Sequence, residues 1–263
     1  MKKILLLAVF ILATLSCSEE DDSSLVSDVN YFPLEIENSW TYSNQSYSNT
    51  ENSQGTETLT INNQDGNRFS FTQIVNSQPG LFTSVLASGE VYKQNGNQKI
   101  IYDGNLSLAL DNNLQNFEFP LDDIILYDAN LSQGDVMFSN AGELQQNING
   151  FPVDFEYEIN STHKGFLISE VINDVTYEDI FVSEINISLS ASVFLVISNF
   201  SILQKQDIIK ITNYYAKDIG LIYSKADTEI IFEDIPEQLN TEISDVNTTS
   251  TQNLMSYSLS TNL

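Results

Sequence analysis

The chain has 263 residues, of which 41% are hydrophobic, and its formal net charge at pH 7 is −26. Its 15 Phe and 12 Tyr supply enough apolar mass for a sizeable core, which excludes a chain that is disordered throughout. Because so acidic a chain repels phosphate backbones, nucleic acid is excluded as a partner. The single cysteine permits no intramolecular disulfide, so stability must come from the core.

The N-terminal stretch has the parts of a secretory signal peptide. Lys2 and Lys3 precede an apolar run from Ile4 to Leu15, which is shorter than the roughly 20 residues of a membrane-spanning helix. The lone Cys17 lies where cleavage is expected, so residues 1–16 resemble a bacterial lipoprotein signal peptide. The resemblance implies that Cys17 carries acyl chains such as palmitate, which attach the protein to the outer membrane. An ordinary secretory signal followed by a free thiol is the alternative.

An acidic run follows the cysteine directly and consists of Ser18, Glu19, Glu20, Asp21 and Asp22. It resembles the surface-export tether of Bacteroidota lipoproteins, which implies that the protein faces the cell exterior. A solvated spacer without an export role is the alternative. We therefore interpret residues 17–29 as the lipidated cysteine and an extended tether, whose length is at most about 40 Å.

Residues 30–263 are predicted to form one domain, which begins at YFPLEIENSWTYS. This segment resembles the FPL-x-x-G-N-x-W-x-Y opening of uncharacterised Bacteroidota lipoproteins. Trp40 is interpreted as its core anchor, in preference to a sugar-binding platform with Tyr42 and Tyr47. Glu37 occupies the position of the glycine in the pattern, so the left-handed turn conformation must be adopted by Asn38 or be absent.

Alternation of apolar and polar residues, interrupted by Asn and Gly, predicts antiparallel hairpins. Their turns are placed at Asp65-Gly66, Asn95-Gly96 and Asn173-Asp174. The clearest alternation is FPVDFEYEIN at residues 151–160, which predicts a strand with apolar side chains inward and acidic side chains outward. The run from Ile124 to Tyr127 is predicted to be a strand rather than a helix.

Two later segments resemble sequences of the same group of surface and secreted proteins. ILYDANLSQGDVMF resembles LLYDF-N-L-K-V-G-D-T, and NYYAKDIGLIYSK resembles the closing strand YYAKGVGLIK, with Asp218 at the first glycine. The three resemblances imply a shared antiparallel fold and no activity. We therefore expect an all-β, mainly antiparallel domain built on a strongly curved sheet or half-open barrel; a two-sheet β-sandwich is the alternative.

Two further stretches give predictions about strands. The apolar run from Val193 to Leu203 is predicted to be a strand buried on both faces, in preference to a lipid-facing or partner-binding strand. After about residue 240 the chain becomes rich in Ser, Thr and Asn. This composition predicts a loop with a loosely held edge strand at Leu254–Leu259, or a frayed tail.

Residues with catalytic or ligand-binding chemistry are few. The only histidine, His163, is predicted to be an exposed turn residue, and the only arginine, Arg68, to have a solvated or cross-strand role rather than to bind an anion. The candidate calcium ligands are Asp122, Asp123, Asp128 and Asp135. Because their spacing does not match a calcium-binding loop, we predict neither a metal nor another cofactor.

The sequence contains no metalloprotease, nucleophile-elbow, dinucleotide or P-loop motif. The favoured hypothesis is a non-enzymatic lipoprotein of the cell surface that contacts the membrane through its anchor and has a binding or structural role. A glycan, an apolar ligand and a protein all remain as candidate partners. One alternative is a carrier that holds an apolar ligand in a curved-sheet cavity, and another is a glycoside hydrolase that uses two carboxylates.

Overall fold

The computed structural model of the protein describes residues 29–49, 51–108, 116–195, 198–239 and 243–260. Within them the secondary structure is nearly all β, which confirms the predicted fold class. The strands are β1 (Ser39–Ser48), β2 (Asn52–Asp65), β3 (Arg68–Asn76), β4 (Glu90–Gln94), β5 (Lys99–Asp103), β6 (Asn105–Leu108), β7 (Phe117–Pro120), β8 (Ile124–Asp128), β9 (Val136–Ile148), β10 (Phe151–Ile172), β11 (Val175–Leu195), β12 (Ser198–Ala216), β13 (Gly220–Ile230) and β14 (Val246–Ser258). The helices are α1 (Leu81–Ala87) and a short 3₁₀ helix (Glu237–Leu239).

Twelve strands form one antiparallel sheet in the order β8-β5-β4-β3-β2-β1-β14-β13-β12-β11-β10-β9. The sheet is nearly closed into a barrel, with one unsealed seam. The seam lies between the edge strands β8 and β9; beside it, the Ser161 hydroxyl of β10, the neighbour of β9, donates a hydrogen bond to the Ile125 carbonyl of β8 at 2.5 Å. Strands β6 and β7 form a separate hairpin. The curved, half-open barrel is therefore correct, and the two-sheet sandwich is not.

All three predicted hairpins are present. Strands β2 and β3 meet at Gly66, which has a φ of 61°. Strands β10 and β11 meet at Asn173 and Asp174, whose φ values of 49° and 62° fit a type I′ turn. Asn95-Gly96 also has positive φ at both residues, although the loop between β4 and β5 is longer than the predicted two residues.

Alternation along β10 separates core from solvent as predicted. Val153 and Phe155 are buried, whereas Asp154 and Glu156 between and after them are exposed. Burial of an apolar side chain of this size stabilises the folded state by about 1.5–3 kcal/mol relative to an exposed one. The buried apolar side chains of the described residues, from Tyr31 to Leu254, form one continuous cluster.

The C-terminal region is an ordered strand and not a frayed tail, and the predicted edge strand corresponds only to its last part. Residues 248–253 of β14 pair with both β1 and β13, whereas residues 254–258 pair with β1 alone. Gln252 and Leu254 point inward and are only 2% and 1% exposed. Polar side chains hold the strand as well, since the Thr249 hydroxyl donates to Asp227 of β13 at 2.8 Å. The Ser/Thr-rich composition therefore belongs to an interior strand of the sheet.

The apolar run from Val193 to Leu203 is not one strand buried on both faces. Strand β11 ends at Leu195 and β12 begins at Ser198, so the run spans the ends of two paired strands. Phe194 and Phe200 are 58% and 43% exposed, because the outer face of the sheet is open to solvent there.

The opening segment forms a turn that holds Trp40 in the core. Glu37 itself has a φ of 71°, so this residue, and not Asn38, adopts the left-handed conformation. The buried side chain of Asn38 instead donates to the Pro33 carbonyl at 2.7 Å and accepts from the Ser260 amide at 2.7 Å. Trp40 is fully buried, which confirms its role as a core anchor.

Candidate functional site

The predicted lipidation site and tether fall outside the described residues. They comprise Cys17, Ser18, Glu19, Glu20, Asp21 and Asp22. The described chain begins beside the turn between β12 and β13, where the Asn30 carbonyl accepts a hydrogen bond from the Asp218 amide at 2.7 Å.

His163 is fully buried, so the prediction of an exposed turn residue is wrong. Its Nδ1 lies 3.1 Å from the Leu131 carbonyl oxygen, and its ring stacks on Phe181 with centroids 4.3 Å apart. His163 occupies an inward position of the alternation that runs along β10 from Val153, so the imidazole points into the core; the bulge in β10 comes after it, between His163 and Gly165. The other ring nitrogen, Nε2, has no hydrogen-bond partner among the described residues.

Arg68 has a cross-strand role. Its Nη1 donates to Asp103 of β5 at 3.0 Å and to Glu90 of β4 at 3.3 Å. Its guanidinium also lies over the Tyr92 ring, 4.6 Å from the centroid. Because two carboxylates already surround the guanidinium, an external anion would be repelled, and an anion-binding role is disfavoured.

The aspartates that were considered as calcium ligands have local partners instead. Asp123 accepts a hydrogen bond from the Tyr92 hydroxyl. Asp128 accepts from the Asn130 amide at 3.0 Å, and Asp135 from the Ser132 amide at 2.9 Å. Within the described part of the chain, these residues and Asp122 do not form a group of three or more side chains that could hold a metal.

Carboxylates also line a shallow pocket of about 300 Å³ on β9 and β10, which contains Glu143, Glu156, Glu158 and Lys205. The Lys205 ammonium donates to Glu158 at 2.8 Å and holds the pKa of that carboxyl below its ordinary value. A glycosidase acid instead needs a raised pKa. This pocket therefore favours ion pairing over acid catalysis.

A more enclosed pocket, of about 420 Å³, lies at the end of the barrel that α1 covers; we call it the mouth pocket. One wall consists of side chains from β13, β14 and β1, namely Thr228, Thr248, Ser250 and Ser46. They are neighbours because Thr228 is paired with Thr248, and Ser250 with Ser46. The strands thus present a rigid row of hydroxyl groups.

The opposite side of the mouth pocket is formed by α1 and the β6–β7 hairpin. Ser84 and Ser88 add two further hydroxyls, whereas Leu81 and Leu106 supply apolar surface. Glu118 is the one ionisable side chain in the described lining. The pocket thus combines many neutral hydrogen-bonding groups with an apolar surface that makes up the larger part of the lining, which suits an uncharged ligand with both polar and apolar faces.

A buried polar network fixes α1 at this position. The Glu57 carboxylate of β2, only 2% exposed, accepts from the Gly80 amide at 2.9 Å and from the Gln252 side chain at 2.9 Å. Gln73 donates to the same carboxylate at 2.7 Å, and the Thr83 hydroxyl donates to it as well. A side chain at Gly80 would collide with Gln252 and Glu57, so only glycine permits this approach of the helix to the sheet.

Beneath the mouth pocket, a row of polar side chains crosses the interior of the barrel. Successive pairings align, on β10, β11, β12, β13, β14 and β1, the buried residues His163, Ser183, Asn213, Ser224, Gln252 and Asn44. Both amide atoms of Asn213 and the Oδ1 of Asn44 have no hydrogen-bond partner among the described residues. Because Gln252 and Ser250 lie two residues apart on one face of β14, the row continues inward from the pocket.

Sequence reasoning did not identify the mouth pocket or this polar row. The available signal was a polar residue at an inward position of an alternating strand, such as Ser183 between Phe181 and Ile185. The pattern shows that such a residue points inward. It does not show which strands become neighbours, so the row could not be assembled from sequence.

Comparisons with known proteins give little further guidance. No family model matches the chain, and no curated protein matches it. Among solved structures, a "putative lipoprotein" from Parabacteroides distasonis is similar, with 12% identity and a TM-score of 0.36 over 88% of this chain and 99% of that chain. In the described part of the protein, no helix has the length and apolar character needed to cross a membrane.

Proposed function

We propose that the protein is a non-enzymatic lipoprotein of the outer membrane, held by acyl chains on Cys17 and facing the cell exterior, and that it binds a neutral, hydroxyl-rich ligand such as a glycan. The observation that supports ligand binding is the mouth pocket, where hydroxyls from three strands meet Ser84 and Ser88. Hydroxyl and amide groups on rigid strands can exchange hydrogen bonds with sugar hydroxyls without a large ordering cost.

The same pocket supports binding rather than turnover. Hydrolysis of a glycosidic bond requires two carboxyl groups on opposite sides of the bond, whereas the described lining supplies only Glu118. The apolar-carrier alternative is also disfavoured. The interior in which such a ligand would lie is filled by large side chains, including Trp40, Tyr42 and Phe32, all fully buried.

The binding proposal is tested by calorimetric titration of the full chain with a panel of neutral and anionic glycans. We expect a neutral glycan to bind and the double variant Thr248→Val, Ser250→Ala to weaken this binding by about tenfold. The matched control is Thr251→Val, on the opposite face of β14. If a neutral glycan bound the double variant and the control variant equally well, the binding site would lie elsewhere. Release of reducing sugar would contradict the non-enzymatic role.

The anchor is tested separately. Mass spectrometry of the mature N-terminus should show an acylated Cys17, and Cys17→Ala should release the protein into the soluble fraction. An unmodified thiol would reject the lipoprotein assignment.

The export role is assigned to Glu19, Glu20, Asp21 and Asp22, as Ser18 lacks charge. Replacement of these four acids by alanine should keep the protein on the membrane but protect it from protease added to intact cells. Continued cleavage in intact cells would contradict the tether.

A further inference from the structure

Strands β10 and β11 extend beyond the rest of the sheet. The pairing of β10 with β9 ends at Thr162, and that of β11 with β12 ends at Ile180. Residues 166–179 therefore form a two-stranded ribbon, with Asn173-Asp174 at its tip. Along residues 166–172, the β10 edge that faces away from β11 is paired with no strand in the described part of the chain.

This free edge has only one of the features that usually protect an exposed strand, the charged side chain of Glu170. Natural proteins block such edges with lysine, proline or a covering loop. The β10 edge has the sequence FLISEVI, without lysine or proline. The described loop before β9 covers the β10 edge only as far as Gly165, where the Gln133 side chain lies against the glycine.

Apolar side chains are concentrated on the ribbon and on the adjacent end of β14. Ile168 is 90% exposed, and Val171 and Val175 are also exposed. The Asn173 side chain donates to the Leu254 carbonyl of β14 at 3.0 Å, which brings the ribbon beside the exposed Met255. Between the ribbon, the β12–β13 turn and β14 lies a groove of about 680 Å³.

The charge of this region restricts what can occupy it. The ribbon carries four carboxylates and no basic side chain, its acids being Glu170, Asp174, Glu178 and Asp179. Asp218 lines the groove from the neighbouring turn, where Lys217 is the one basic residue of the described lining. Like charge disfavours an anionic membrane surface, a second copy of this face, and the chain's own acidic segment Glu19–Asp22.

We propose that the ribbon is a docking site for an extended segment of a partner protein in which basic and apolar residues alternate. The segment adds as a strand to the free edge of β10, so that its amides and carbonyls pair with those of residues 166–172. Its apolar side chains contact Ile168, and its basic side chains lie on the other face of the ribbon, near Glu178. This site is separate from the mouth pocket, and it uses none of the residues assigned to the glycan.

The test uses the full chain with Cys17→Ser, which prevents lipid attachment, and a labelled peptide of alternating lysine and valine about ten residues long. Fluorescence anisotropy should show binding that the variant Ile168→Ser weakens by about tenfold. Ile74→Ser is the matched control, because Ile74 is 70% exposed on β3 and the change also leaves the net charge unaltered. A second variant, Ser169→Pro, blocks the edge without removing an apolar side chain.

The peptide controls separate strand addition from charge attraction alone. A peptide of alternating lysine and serine should bind more weakly, and one of alternating glutamate and valine should not bind. If the lysine–valine peptide bound every variant with the same affinity, the net charge alone would attract it and the proposal would be wrong. Absence of binding would also overturn the proposal. Sedimentation that shows a dimer sensitive to Ile168→Ser would assign the edge to a second copy instead.

Discussion

Two residues carry backbone strain at positions where the sequence patterns that the chain resembles have glycine. Glu37 and Asp218 have φ values of 71° and 59°. A left-handed conformation costs an ordinary residue about 1–2 kcal/mol, part of which is offset by the larger unfolded-state entropy of glycine. We therefore expect Glu37→Gly to stabilise the fold by about 1 kcal/mol and Asp218→Gly by less, because aspartate tolerates this conformation better.

Urea unfolding measures both effects as a rise in the midpoint at constant slope. Glu35→Gly, two residues before Glu37 and without positive φ, is the control and should lower the midpoint. A loss of stability in Glu37→Gly would show that the Glu37 side chain makes a compensating contribution.

Residue-level prediction succeeded where the inward positions of a strand are apolar and failed where they become polar. The burial of Phe155 follows from a strict period of two, and the burial of Trp40 from its size. His163 is buried because the same alternation continues beyond residue 160, through Ser161 to His163. The inward side chains become polar there, so a pattern based on apolar residues does not reveal that the strand continues.

At the scale of elements, helix α1 depends on the carboxylate of Glu57. Seven residues are too few to form a stable helix alone. The N-terminus of α1 has no side-chain cap of its own, whereas the Gly80 amide is bound by Glu57 and the Phe82 amide by Gln252 at 2.9 Å. This dependence explains why sequence periodicity did not reveal the helix.

We expect Glu57→Leu to destabilise the protein by about 3 kcal/mol, because the buried donors of Gly80, Gln73 and Gln252 lose their acceptor. Glu57→Gln should cost less, since its amide oxygen still accepts hydrogen bonds. Hydrogen exchange should also show faster opening of α1. Glu229→Leu, at an exposed position on β13, is the control and should change stability by less than about 0.5 kcal/mol.

The pairing of β11 with β12 has a pH-dependent component. The Ser188 hydroxyl donates to Asp207 at 2.6 Å and, together with Asn186, holds the pKa of this carboxyl below its ordinary value. Because the pKa is lower in the folded state, the ionised form stabilises the fold at neutral pH. This contribution is lost as the pH falls below about 4, through the folded-state pKa.

Asp207→Asn should therefore lower the urea midpoint at pH 7 but have no effect near pH 2. The difference should be small, below about 1 kcal/mol, because the side chain is exposed to solvent. Glu143→Gln, at an exposed position on β9, serves as the control. An equal effect of Asp207→Asn at both pH values would assign the loss to packing instead of charge.

At the scale of the molecule, the sequence predicted local pairings but not the closure of the sheet. Each hairpin turn is encoded by two or three adjacent residues, such as Asn173-Asp174. The ladder between β1 and β14 joins residues from opposite ends of the domain, as in the pairing of Trp40 with Tyr257. No local pattern specifies such a partner. The mouth pocket depends on this closure and was therefore hidden from sequence reasoning as well.

This topology makes the polar C-terminal region essential for folding. Without β14, strands β1 and β13 would both present unpaired edges, and Trp40 would lose one of its two neighbouring strands. We expect a chain that ends at Leu239 to be insoluble or to lack cooperative unfolding by circular dichroism. A chain that begins at Val29 should retain the cooperative transition of the full protein, because it keeps every described strand. If the chain that ends at Leu239 still unfolded cooperatively near the full-length midpoint, β14 would be dispensable and the closing pairings would contribute little to stability.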